Sequence, residues 1–181
     1  MGSATLRRMR IPFCSLALAA AILTAGTAHG ESLQAQRAEV QAAFAAADRG
    51  ELTLRDAARL QSHPLGGWLE VRVRERDLAA ISSEHLREIL DTLGPQLAAN
   101  RLRQAWLREA AAEGRWGDVL NHAREETDVG LQCAVLQATL ATHAVDTAWV
   151  QATTALWLSA NPQPEACGPV FTALALRGEL T

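Results

Sequence analysis

The stretch Leu65-Gly66-Gly67-Trp68-Leu69-Glu70-Val71-Arg72-Val73-Arg74-Glu75-Arg76 decides the fold class, because two periods fit it. Val71 and Val73 alternate with Arg72, Arg74 and Arg76, as the two faces of a half-buried strand would. Leu65, Trp68, Leu69 and Val73 fall instead at offsets 0, 3, 4 and 8, which is one face of a helix. A lone strand has nothing to pair with, and no second alternating run exists in the chain. The helical reading is therefore predicted for residues 65–76, and with it an all-α protein.

Working outward, the remaining segments carry the same period. Leu33, Val40, Phe44 and Ala47 lie at offsets 0, 7, 11 and 14 and are followed by Gly50, a helix-ending glycine. Ala98, Leu102, Ala105, Trp106 and Ala110 give 0, 4, 7, 8 and 12, closed by Gly114. Val129, Cys133, Leu136 and Leu140 give 0, 4, 7 and 11. Asp146 is placed to cap a helix bearing Trp149, Ala152 and Leu156, and Ser82 or Ser83 to cap Glu84–Leu93, because their oxygens can accept free first-turn N–H groups. The absence of tyrosine and the scarcity of β-branched residues agree. The reading is eight or nine helices of 8 to 18 residues joined by short turns. Short connections favour antiparallel neighbours, and repeated helix pairs favour a curved α-solenoid. The turn Glu113-Gly114-Arg115-Trp116-Gly117-Asp118-Val119-Leu120 resembles that of tetratricopeptide-type repeats, but no 34-residue period fits the rest.

Charge and the N-terminus bound the environment. Of 17 basic residues all are arginine, and three of them, Arg7, Arg8 and Arg10, precede the apolar run Ile11 to Leu23 and the small residues Ala25 to Gly30. This is the layout of a secretory signal peptide over residues 1–30. The apolar run is 13 residues, short of the roughly 20 that a span needs, so no stable membrane insertion is expected after cleavage. Cys14 lies inside the apolar run rather than after a small-residue box, so it should leave with the leader instead of carrying a lipid. Residues 31–181 then hold 14 arginines against 20 acids, or −6, with no basic block. That excludes a phosphate-backbone binder, so no nucleic acid is expected as partner.

In an oxidising compartment the two remaining thiols, Cys133 and Cys167, are expected to form a disulfide. A redox or metal pair would want Cys-x-x-Cys or a nearby histidine, whereas these are 34 residues apart. His63, His85, His122 and His143 are scattered with no ligand spacing, so they read as surface or capping residues, and neither metal nor cofactor is expected. Glu84 with Glu88, and the corner Glu125, Glu126 and Asp128, are read as solvated carboxylates, because acid–base work requires a cleft that shifts their pKa. No catalytic residue is identified. Of the five tryptophans, Trp106 and Trp149 lie on apolar stripes and should be core, while Trp68 and Trp157, near helix ends, are more open to a stacked sugar.

Four segments taken together resemble a known family. His63-Pro64-Leu65-Gly66-Gly67-Trp68-Leu69-Glu70-Val71-Arg72 is similar to a Tyr-Pro-Leu-x-x-Tyr-Leu-Glu-Tyr-Arg stretch, and Arg115-Trp116 followed by Val119-Leu120 to an Asp-Trp-x-x-Leu-Leu turn. Gln132-Cys133, then Trp157-Leu158 through Pro164-Glu165-Ala166-Cys167, follow the order and spacing of Gln-Cys and Leu-Trp-Leu…Pro-x-Ala-Cys segments. All four are found in the N-terminal superhelical U-domain of the soluble lytic murein transglycosylases, and here they cover nearly all of residues 33–177.

The resemblance implies a periplasmic helical scaffold, residues 31–181, along which glycan strands of peptidoglycan pass toward a lysozyme-like catalytic domain. In that family the general acid/base is a Glu followed by Ser in that further domain. The one Glu-Ser here, Glu31-Ser32, sits at the expected signal junction and does not correspond. The expectation is thus a scaffold portion without its own glycan-cleaving site, truncated near Gly178. The alternative is a free-standing periplasmic helical-repeat module that binds a protein.

Overall fold

The computed structural model describes residues 17–143, 145–160 and 162–178. The leader residues Arg7, Arg8, Arg10 and Cys14, and the terminal Thr181, lie outside the described residues. The chain divides into two compact units, residues 1–45 and 46–181. The described residues of the first, 17–45, belong to helix α1 (Ala17–Asp48), within which the expected cleavage point after Gly30 falls.

The second unit holds α2 (Leu54–Arg59), α3 (Gly66–Arg74), α4 (Ser83–Leu93), α5 (Leu97–Ala112), α6 (Trp116–His122), α7 (Val129–Thr142), α8 (Thr147–Trp157) and α9 (Gly168–Leu176). Among the described residues there is no strand, and the class is all-α. Helix lengths depart from the sequence expectation: α2 has 6 residues, α6 has 7 and α1 has 32. Of the two short ones, α6 has no side-chain cap and is held by packing against α5 and α7, whereas α2 is held at its start. Thr53 and Asp56 form a reciprocal capping box on α2, each side chain accepting the other's backbone N–H.

Starts and stops follow local chemistry. Ser82 Oγ, not Ser83, accepts the His85 N–H at 3.1 Å to cap α4. Asp128 accepts the Leu131 N–H at 2.9 Å and Asp146 the Trp149 N–H at 2.8 Å, capping α7 and α8. The turn that ends α1 passes through Gly50 at φ +78°, a left-handed conformation that L side chains adopt only at a cost.

Helices α3, α5, α7 and α9 stack successively on one another, while α6 packs against both α5 and α7, α8 against both α7 and α9, and α4 against α5. This alternation, in which a helix touches both the next and the one after it, is the arrangement of an α-solenoid built from antiparallel pairs. It also explains why one-faced offsets misjudged which side chains are inside. In α3 the fully buried residues are Leu69 and Val71, on nearly opposite sides, whereas Leu65 is exposed and Trp68 and Val73 are half-buried. The helix lies between α2 and α5 and must be apolar toward both. The arginines that made the stretch look like a strand reach outward: Arg72 to Asp48 at 2.8 Å, Arg74 to Glu70 at 2.8 Å, and Arg76 to the Leu52 carbonyl at 3.3 Å.

Two core clusters result. The larger gathers Leu86, Leu102, Leu107, Val119 and Leu131 around Trp106, which is wholly buried and donates its indole N–H to the Ile81 carbonyl at 2.8 Å. The second gathers Trp149, Val170, Phe171 and Leu174 around a disulfide between Cys133 of α7 and Cys167, whose Cα atoms are 5.0 Å apart. Burying each such Leu contributes about 1.5–3 kcal/mol, so the larger cluster dominates stability.

Candidate functional site

The polar centre of the second unit is built by α5 and the turn between α6 and α7. Arg103 follows Leu102 and precedes Trp106 by three residues, which places a guanidinium inside the inward arc of α5. It is buried, and Glu126 from the α6–α7 turn is buried with it. Arg103 Nη1 donates to Glu126 Oε1 at 2.5 Å and Nη2 to Oε2 at 3.2 Å, a bidentate pair. Nη1 also donates to the His122 carbonyl at 3.1 Å and Nη2 to Asn100 Oδ1 at 2.8 Å. Glu126 accepts the Arg124 backbone N–H at 3.0 Å, and its carbonyl accepts from the Gln132 side chain at 2.7 Å.

This corrects the solvated reading of the acidic corner. Glu125 is exposed and Asp128 caps α7 while pairing with Arg108 at 3.2 Å, but Glu126 is the one buried carboxylate among the described residues. Burial alone would raise its pKa. The hydrogen bonds from Arg103 and from the Arg124 N–H outweigh that and hold it below the usual carboxylate value. A general acid must be protonated near neutral pH, so Glu126 is suited to holding structure and not to donating a proton.

His122 is likewise not a surface residue. It is buried, its ring stands edge-on to Trp106 with centroids 5.0 Å apart, and its Nε2 lies 2.7 Å from Ser83 Oγ. Burial, reinforced by the Arg87 charge, depresses its pKa and keeps the ring neutral. The other histidines serve locally: His63 Nδ1 accepts the Leu65 N–H at 3.1 Å, His85 meets Glu88 at 3.2 Å, and His143 meets Thr142 Oγ1 at 2.6 Å. Glu84 and Glu88 stay on the exposed side of α4. No group of three or more His, Cys, Asp or Glu that could hold a metal occurs among the described residues. Glu31-Ser32 lies within α1.

Above the buried pair lie two adjoining hollows. One, about 410 Å³, is bordered by Glu126, Gln132, Val135 and Leu156, and the other, about 610 Å³, by Asp91, Gln96, Asn100 and Arg103. Arg124 borders both. The linings mix side-chain amides, the exposed Arg124 guanidinium, the carboxylates of Asp91 and Glu126, and aliphatic walls. Sequence reasoning passed over Arg103 entirely. Its signal was available, since a charge on the buried arc of an apolar helix requires a partner elsewhere in the chain.

The tryptophans sort as the stripes implied in two cases, Trp106 and Trp149, both buried. Trp68 and Trp116 are half-buried, and Trp157 is 48 % exposed.

No protein-family model matches this chain, and no curated protein does. Two solved structures do. One is the 70-kDa soluble lytic transglycosylase of Escherichia coli, with a TM-score of 0.69, and the other a 70-kDa soluble lytic transglycosylase in complex with bulgecin A, with a TM-score of 0.68. In each case sequence identity is 22 % and the match covers 82 % of this chain but 24 % of the other. The chain thus spans about a quarter of the length of these neighbours, and over most of its own length it shares the fold of a helical segment of the soluble lytic transglycosylases.

Proposed function

We propose that this chain is a non-catalytic scaffold portion of a periplasmic, peptidoglycan-cleaving lytic transglycosylase, exported by a signal peptide over residues 1–30. Cleavage of glycan strands belongs, on this reading, to a lysozyme-like domain outside residues 31–181. The observation that carries the proposal is the shared fold over 82 % of the chain with a quarter-length segment of such enzymes. Two features support it. The buried carboxylate, Glu126, is held ionised by Arg103 and cannot protonate a leaving oxygen. The Cys133–Cys167 disulfide suits an oxidising compartment.

The scaffold role is to hold the strand in register, with the hollows flanking Arg124 as the polar contact surface. The test is osmotic-shock fractionation of producing cells, followed by co-sedimentation of the recovered chain with purified sacculi. Recovery in the shock fluid, lacking the leader by mass, with retention on sacculi is expected. A cytoplasmic chain, or one that stays in the supernatant, contradicts the proposal.

A further inference from the structure

Trp157 is the last residue of α8 and the one tryptophan with about half its surface open. Trp149, two turns earlier, is the buried tryptophan of this helix and donates its N–H to the Leu136 carbonyl at 2.9 Å. Phe171 of α9 holds the exposed ring edge-on, with centroids 5.1 Å apart and planes at 77°. The indole thus has one ring partner while about half of its surface stays exposed. Beside it lies a hollow of about 370 Å³, bordered by Ser159, Gln163, Pro164, Glu165 and Gly168.

The far wall of that hollow is held by hydrogen bonds and by the disulfide. The Gln163 side-chain amide donates to Ser159 Oγ, the Gln137 side chain of α7 donates to the Ala166 carbonyl, and Cys167 is tied to α7 by the disulfide. An exposed aromatic ring beside a hollow walled by a hydrogen-bonded turn is a concavity present without a ligand, which lowers the ordering cost of binding.

The lining selects the ligand. It carries a carboxylate, Glu165, and no cation, which disfavours anionic ligands. It offers an aromatic ring on one side and oxygen acceptors on the other. A pyranose with equatorial substituents matches both, since its C–H bonds carry slight positive charge toward the negative face of the indole, and its hydroxyls donate to a carboxylate. We propose that Trp157 and Glu165 form a saccharide subsite taking one uncharged pyranose ring of a β-linked glycan chain. It rests on the scaffold reading only in identifying that chain as the peptidoglycan strand.

The probe is the β-1,4-linked tetramer of N-acetylglucosamine, titrated against the purified chain while saturation-transfer NMR reads contacts to the sugar ring. Saturable binding is expected, weakened about tenfold by Trp157→Ala and several-fold by Glu165→Ala. Glu165 is exposed and outside the core, so its variant should keep the wild-type melting temperature even if loss of the Trp157–Phe171 contact lowers that of the other. Absence of saturable binding, or binding unchanged in Glu165→Ala and Trp157→Ala, overturns the subsite, as does a Trp157→Ala change that affects self-association instead. Retention of wild type and both variants alike on sacculi, with no tetramer binding, removes the subsite and leaves the scaffold reading intact. Tetramer binding weakened by both substitutions, without sacculus retention of the wild type, upholds the subsite and overturns the scaffold reading.

Discussion

Arg103 and Glu126 sit where a solenoid would ordinarily place two aliphatic side chains, between α5 and the turn leading to α7. Removing one partner leaves the other charge buried, so Glu126→Gln should destabilise the chain by about 3–5 kcal/mol in urea unfolding. Arg103 Nε finds no partner among the described residues, so the pair is incompletely satisfied. The double change Arg103→Met with Glu126→Leu should therefore cost far less than either single change. A double variant as unstable as the sum of the singles would contradict this account. Both buried titratable groups also make the fold sensitive to acid. The His122 pKa is depressed, so its contribution is complete above its unfolded value near 6.5 and falls as pH drops from there toward the folded value. The Glu126 pKa is also depressed, so stability is complete above about 4.3 and declines as pH falls through the folded value. The urea midpoint should thus decrease in two steps on acidification from pH 8, and His122→Gln should abolish the upper one. A midpoint flat from pH 8 to 5 in the wild type would contradict it. Little of this was legible in the sequence, because a buried charge is recognised by its partner, and here the partners are 23 residues apart.

At the scale of elements the sequence carried more. The periods that placed helices at Ala98–Ala110 and Val129–Leu140, the Asp146 cap and the helical reading of residues 65–76 all correspond to elements of the structure. What a one-faced offset could not supply was the burial pattern, since a helix inside a stack is apolar on two sides, as Leu69 and Val71 are. Close approach was also hidden. At the start of α3, a Cβ on Gly66 would collide with the Leu60 carbonyl and come within 2.8 Å of Gln61 Cα, both backbone atoms. Gly66→Ala should push α2 from α3 and lower stability by about 1–3 kcal/mol, read by thermal or urea unfolding, whereas Gly117→Ala, with open space around its Cβ position, should be neutral or slightly stabilising. The disulfide operates at the same scale, joining α7 to the turn before α9. Replacing both Cys133 and Cys167 by Ala should cost about 2–4 kcal/mol. Alkylation of denatured, unreduced protein should leave both residues unlabelled, and labelling of either would contradict the bridge.

At the scale of the whole molecule, the stacking of α3, α5, α7 and α9 gives a helical array in which Glu126, the one buried carboxylate among the described residues, is paired with Arg103 beside open hollows. The sequence indicated the array through its punctuation, but the hollows around Arg124 arise from segments far apart in the chain and could be found only in three dimensions. Peptidoglycan cleavage of this kind asks for a protonated carboxyl in a desolvated cleft, and Glu126 is held in the opposite state. The central claim, that this chain positions glycan strands without cutting them, is tested most directly by incubating it with purified sacculi and chromatographing the soluble products for anhydro-muropeptides. The account predicts none above a boiled-protein control, and their release by the purified chain would contradict it.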